Sequence, residues 1–493
     1  MQRRVGTEAV HFRKPEASAR DPALPAGHDS PGVHAGSLAD ASGYHRELSG
    51  RSKKSQPHCS PLLTRSAHHT TFGSLTMRLD RTYCVPFVAL ILLASHMVST
   101  AADQPQSDIR RVGGDEASRI ADAVVVGNQP LVHTAQLFAA APGDDLSTVS
   151  AAAQVDAVLQ QLDKVLKGSG SSLAGLVRLN GYAHDDASAT ALRAGLTRSL
   201  APETRVALTI AIGAFPAQPR GALVSVDAIA VASDAAATPA APGVLTPPGF
   251  AAATTLPPGG VVYISGQAEK GDNLHEATRK TLAGLKRTLD WLELSLDDVV
   301  EIKSFQTPID ADLCPIEVNS ESCPVRSAFQ ELFAGKTVPA SSFVEWQLGT
   351  NSIEIEFVVR SPKQPAASAP IEYLTPPWMT ASPVFCRVTR CRRDALVYIG
   401  ETSGDPAAAG GEIRDLFGRL RKSAEAAGTD LSHLAKATYY VSNQELIPQF
   451  GKIRPEFYDP KRPPAASLAP IQGIQPAGRG LVVDMIAVGK PAP

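Results

Sequence analysis

Aromatic side chains make up only 5% of this 493-residue chain, which argues against a protein whose work is stacking nucleobases. Charge of one sign is missing too. The 47 Lys and Arg against 49 Asp and Glu leave a net charge of −2, so no nucleic-acid partner is expected on electrostatic grounds. Long apolar runs are absent apart from Cys84–Ala94, which is short for a membrane span. Cysteine is sparse, at six residues. Neither local pair, Cys314/Cys323 or Cys386/Cys391, has the close-spaced histidines that zinc sites use, so no metal or other cofactor is expected. What is plentiful is Ala, Val, Leu and Ile, within a 43% apolar total. That suits soluble globular domains, roughly three at this length.

Residues 1–76 are rich in Pro, Ser, Arg and His with no sustained period of 2 or 3.6, and read as a disordered or untranslated extension. Met77-Arg-Leu-Asp-Arg81, the apolar run and Ser99-Thr-Ala101 then spell a secretory signal peptide over 77–101. A signal must stand first to be read, so Met77 is the expected start. The mature chain is expected to be exported, periplasmic or extracellular, with no stable membrane association after cleavage. The alternative is an uncleaved single-span anchor. In an exported protein the two cysteine pairs read as two small-loop disulfides, with free buried thiols as the other reading.

After residue 102 the pattern repeats. Leu131-Val-His-Thr-Ala-Gln136, Val262-Tyr-Ile-Ser-Gly-Gln267 and Val397-Tyr-Ile-Gly-Glu401 are corresponding strands, and so are Leu176–Tyr182, Val299–Phe305 and Leu434–Tyr440. Between them runs an amphipathic helix: Val155, Leu159, Leu162 and Leu166 in the first repeat, Leu282, Leu285, Leu289 and Leu292 in the second, Ile413, Leu416 and Leu420 in the third. Asn273 with Glu276 predicts a capping box, and Gly428 a helix stop. A second helix follows, clearest in Leu446, Phe450, Ile453 and Phe457. Pro/Ala-rich joints at 235–242 and 361–370 separate domains at 102–234, 243–360 and 371–493. The expected fold is α+β, each domain running β-β-α-β-α-β-β.

One stretch identifies the unit. Val338-Pro-Ala-Ser-Ser-Phe-Val-Glu-Trp346 and Asn351-Ser-Ile-Glu-Ile-Glu-Phe357 read as two strands around a turn, Ile353 and Ile355 alternating with Glu354 and Glu356. This spelling resembles the C-terminal signature of the RidA family (also called YjgF or L-PSP), and Ala424–Leu431 leading into Ala435–Val441 resembles its helix-end and strand motif. The resemblance covers about 120–488 as three tandem RidA-like domains. It implies chorismate-mutase-like folds closed as an intrachain pseudo-trimer, a monomer with small-molecule clefts between neighbouring domains.

In that family an arginine grips the carboxylate of a 2-imino or 2-enamino acid, and a glutamate assists water. Here the arginine position is Ser341 in the second repeat, Ala466 in the third and Leu208 in the first; Arg205 and Arg462 fall outside the register. The glutamate position is Glu354, Ser225 and Val482, while a second acid persists as Glu356, Asp227 and Asp484, which suggests an ion pair or hydrogen bond at a sheet edge. Phe250 stands near the place of the family's aromatic hydroxyl and lacks the oxygen. The resemblance thus implies Glu354 as the catalytic residue, with Ser341, Gly266, Gln267 and Phe250 lining its substrate. The expected function is hydrolysis of a reactive imine, enamine or related metabolite. The alternative is a non-catalytic small-molecule binder. The family's older label, endoribonuclease, finds no support in composition.

Overall fold

The computed structural model describes residues 109–141, 144–213, 219–233, 246–309, 323–346 and 351–490. The signal-like segment 77–101, the joint at 235–242 and Cys314 lie outside them. The first repeat contains β1 (Ile109–Val112), β2 (Ala123–Val126), β3 (Leu131–Thr134), β4 (Leu137–Phe138), α1 (Ala151–Gly168), β5 (Leu176–Ala183), α2 (Asp186–Ser199), β6 (Ala207–Ile212) and β7 (Val224–Val231). The second contains β8 (Ala253–Leu256), β9 (Gly260–Gln267), α3 (Leu274–Trp291), β10 (Val299–Gln306), α4 (Pro324–Phe333), β11 (Ala340–Glu345) and β12 (Ile353–Ser361). The third contains β13 (Ile371–Leu374), β14 (Val388–Cys391), β15 (Leu396–Ser403), α5 (Glu412–Ala426), β16 (Leu434–Val441), α6 (Leu446–Ile453), β17 (Ala465–Pro470), β18 (Gly473–Ile474) and β19 (Leu481–Val488).

The helices form where the apolar spacing places them. Val155, Leu159, Leu162 and Leu166 are all buried, and Ser150 caps α1 by accepting from the Ala153 N–H. At α3, Asn273 accepts from the Glu276 N–H at 2.9 Å, but Glu276 reaches back to the Asp272 N–H (2.7 Å), one residue before the cap. The box closes one residue early. Gly428, at φ +83°, ends α5: its N–H bonds Glu425 O and the Thr429 N–H bonds Ala424 O, the paired bonds of a left-handed helix stop. α6 is shorter than its pattern, because Pro455 follows Ile453 within a turn.

Strand pairing departs from the sequence-based order. The sheets run β18-β6-β5-β7-β3-β8, β11-β10-β12-β9-β14-β13 and β1-β2-β15-β19-β16-β17, with β4 on β7. The strand that opens each repeat is given away. β8 pairs with β3 of the first repeat, β14 with β9 of the second, and β2 with β15 of the third. None of these pairs with the strand that follows it in sequence. The short loops behind the exchange meet at Arg393, which is fully buried and donates to Pro257 O and Gln129 O, so one side chain ties three loops.

Each sheet buries both faces. One face packs under its two helices: Leu159, Leu192 and Ile210 in the first repeat, Leu285, Phe329 and Ile355 in the second, Leu416, Phe450 and Met485 in the third. The opposite faces share a core in which Val177, Val300 and Ala435, corresponding residues of β5, β10 and β16, pack with Val231, Val358 and Ile486. This two-sided burial explains the near-continuous apolar strands. Cys386 and Cys391 are both buried free thiols rather than a disulfide, Cys391 as the last residue of β14 and Cys386 two residues before the strand, both in this core. Cys323 is disulfide-bonded.

Candidate functional site

The retained second acids do not sit at a sheet edge, because β7, β12 and β19 each have neighbours on both sides. They anchor ion pairs between repeats instead. Arg178 on β5 pairs with Asp484 on β19, and Lys436 on β16 pairs with Glu356 on β12 at 2.7 Å, all four side chains nearly inaccessible. The corresponding residue of β10 is Glu301, of opposite charge. There His133 on β3 takes up the role at 2.6 Å, and Lys303, two residues along, reaches Asp227 at 3.4 Å. Burial pushes the Glu301 carboxyl up, but the His133 hydrogen bond and charge, with Lys303 and Arg178, hold it well below the usual range. Asp227 also accepts from Tyr182 (2.6 Å), Asn180 (2.6 Å) and Ser342 of the next repeat (2.9 Å).

Around this framework the repeats meet at three junctions, the places where the resemblance puts clefts, and they are not alike. Between the first and second repeats, Gln136 accepts from the Phe343 N–H (3.0 Å) and donates to Ser225 (2.9 Å), and its own N–H bonds Ser341 O. All four residues are buried. Between the third and first, Glu401 takes the place of Gln136, accepting from the Ile210 N–H (3.2 Å) and pairing with Arg193 of α2, with Leu208, Ile210 and Val482 buried beside it. Both clefts are filled by the protein's own polar groups.

Between the second and third repeats the filling residue is turned away. Gln267 donates to Thr288 of α3 at 3.0 Å instead of reaching its neighbour. Glu354, Gly266, Ala466, Leu468 and Arg387 are left half-buried there. Ser265 builds the wall: its hydroxyl donates to Cys386 O (2.5 Å) and accepts from the Ala466 N–H (2.8 Å). The register of β12 on β9 shifts so that Ser265 and Gly266 together oppose Glu356, a bulge. A Cβ on Gly266 would stand 1.8 Å from Glu354 Oε1, so the carboxylate occupies the space that the glycine leaves. Burial pushes Glu354 up to about 7, with a hydrogen bond from Ser467 opposing, the charge of Glu356 adding, and Lys436 and Arg387 opposing. Arg387 stands just ahead of the exchanged β14, over the Phe385 ring at 4.8 Å with a bond to Thr380 O.

Of the residues expected to act together, only Glu354 and Gly266 share this cleft. Ser341 belongs to the cleft with the first repeat, because β11 faces the neighbour opposite to the one β12 faces; its hydroxyl is tied to Pro339 O (2.8 Å). Gln267 is spent on α3. Phe250 lies in the helix-side core of the second repeat against Phe343, centroids 6.2 Å apart. Arg205 donates to Gly113 O and Arg462 pairs with Asp459, so neither enters a cleft described above. Sequence reasoning missed Arg387, Ser265 and Ser467. Arg387 had no signal, since it stands just ahead of a strand exchanged from the next repeat. Gly266→Ala is expected to displace the Glu354 carboxylate and abolish any activity that depends on it, while melting temperature falls little. Side-by-side activity and thermal unfolding measurements check this; an active alanine variant refutes it.

No protein-family model and no curated protein matches the chain. Solved structures do match. A YjgF-family protein from Neisseria meningitidis is 16% identical, with 25% of this chain and 99% of that chain covered and a TM-score of 0.19. For a RidA from the Antarctic bacterium Psychrobacter sp. the values are 16%, 19%, 80% and 0.18. For a YjgF-family protein from Mycobacterium tuberculosis they are 19%, 19%, 78% and 0.18. Each match spans a stretch of this chain and not its whole length.

Proposed function

We propose that this chain is an exported RidA-like protein whose three repeats close as one intrachain pseudo-trimer, and that it hydrolyses a reactive imine or enamine in a single working cleft, between the second and third repeats. One observation carries the reading. Glu354 is a half-buried carboxyl that burial pushes up to about 7, at the junction where Gln267 turns away to Thr288. A carboxyl that titrates near 7 can take a proton from water and return it within one turnover. The water oxygen bonds to the imine carbon as Glu354 takes its proton and the C=N π pair moves to nitrogen; nitrogen is then protonated, the C–N bond breaks with its pair leaving as ammonia, and the hydroxyl loses its proton as its oxygen forms the C=O. Arg387 supplies positive charge beside Glu354 from the neighbouring repeat.

A second reading, a binder without chemistry, is favoured by the two filled clefts and by Ala466 in the arginine position. The assay that separates them offers freshly generated 2-aminoacrylate-type imine to the chain from residue 102 and to its Glu354→Gln variant. The enzyme reading expects acceleration that rises with pH through about 7 and falls on the order of 10²–10⁴-fold in the variant. Equal background rates for both leave the binder. The same group sets a stability signature. Its folded pKa, about 7, exceeds the ordinary 4.5, so the stability it contributes is complete below 4.5 and lost as pH rises to 7. Glu354→Gln therefore gains on the parent between those values.

A further inference from the structure

The second repeat carries a buried cation that no described residue answers. Arg326 lies in the first turn of α4, buried to 8% exposure, with its guanidinium 5.5 Å from the centroid of the Phe343 ring. Among the described residues it makes no hydrogen bond and no ion pair, and Nη1 is fully enclosed without a partner. Burial lowers its pKa to about 10. The other buried arginines differ. Arg178 has Asp484, Arg393 has two carbonyls, and Arg454 bonds the Tyr439 hydroxyl. An unanswered buried cation is costly and rare.

Its position on the helix compounds the cost. The start of a helix carries partial positive charge, which disfavours a cation there. The residue before α4, Cys323, offers no side-chain cap, and among the described residues nothing accepts from the Val325 or Arg326 N–H. α1, α2 and α3 are capped by Ser150, Asp185 and Asn273, whereas α5 and α6 lack a side-chain cap as α4 does. Free N–H groups at a helix start and a forked guanidinium in its first turn both seek negative oxygen.

We propose that the start of α4, with Arg326, is a binding site for a small oxyanion group, a carboxylate or a phosphate, separate from the Glu354 cleft. The Phe343 ring under the guanidinium belongs to β11, whose Phe343 N–H is held by Gln136 of the first repeat. Glu354 faces the third repeat instead. Whether the cleft at Glu354 proves catalytic has no bearing on this site.

The test is calorimetric titration of the full chain with inorganic phosphate and, separately, with 2-oxobutyrate, whose relative affinities distinguish the two anion sources. The expected result is saturable binding of at least one, weakened tenfold or more in Arg326→Met and unchanged in Arg387→Gln. The Arg326→Met melting temperature in anion-free buffer is expected not to fall, because an unpaired buried charge has been removed. Should that variant not fold, Arg326→Lys, which keeps the charge and loses the fork, is expected to bind several-fold more weakly. The proposal is overturned if neither anion saturates, if the Arg326 variants bind as the parent does, or if Arg387→Gln abolishes binding.

Discussion

Asp484→Ala is expected to destabilise the chain by about 3–5 kcal/mol, the cost typical of removing one partner from a buried ion pair. Arg178 and Asp484 are both nearly inaccessible, and the pair joins β5 of the first repeat to β19 of the third. Truncating the acid leaves the Arg178 guanidinium enclosed, with its Nε already lacking a partner. Urea unfolding of the two chains measures the loss. The control is Arg178→Met with Asp484→Leu, which removes both charges and is expected to recover most of the stability, since a buried pair contributes little net over an apolar replacement of similar volume. An Asp484→Ala chain as stable as the parent would mean that water reaches the pair. Glu356→Ala is expected to behave alike, because Lys436 loses its partner while Ser467 loses a 2.6 Å bond.

The second large effect comes from the exchanged strands. A chain beginning at Gly127 lacks β1 and β2. With them go Val124 and Val126 from the shared core and Val125 from the third repeat's helix-side core, each 9% exposed or less. At roughly 1.5–3 kcal/mol per fully buried valine, three valines are worth roughly 5–9 kcal/mol, comparable with the whole stability of many domains. The loss also strips β15 of one of its two hydrogen-bonded neighbours and leaves it as an apolar edge. Light scattering is expected to find one chain per particle for the parent and association or aggregation for the shortened chain. A shortened chain that stays monomeric and melts with the parent would show that β1 and β2 are dispensable.

How much of this was legible follows from what each feature depends on. Helix faces depend on spacing within a dozen residues, and Val155, Leu159, Leu162 and Leu166 are buried as their spacing predicts. The glycine stop at Gly428 is local in the same sense. The persistence of Glu356, Asp227 and Asp484 beside a varying first acid pointed to a charge partner. Their partners, Lys436, Lys303 and Arg178, lie in neighbouring repeats, so no pattern within one repeat could name them. The capping box of α3 failed by one residue because Asp272 competes for the same carboxylate.

Candidate-site residues divide on the same line. Glu354 and Ser341 stand close in sequence and spell one signature, yet they face opposite neighbours, because β11 and β12 lie on either side of β10 in their sheet. A signature read along one strand pair cannot reveal that its halves serve two clefts. The sequence alone determined the helix faces, the glycine stop and the carboxylate at Glu354, since each rests on local spacing and residue type. Only the tertiary structure decided that the opening strands are exchanged, that two clefts are closed by Gln136 and Glu401, and that Arg387 arrives beside Glu354. Those outcomes turn on which repeat packs against which, a competition among similar surfaces that burial and pairing resolve only once the whole chain has come together.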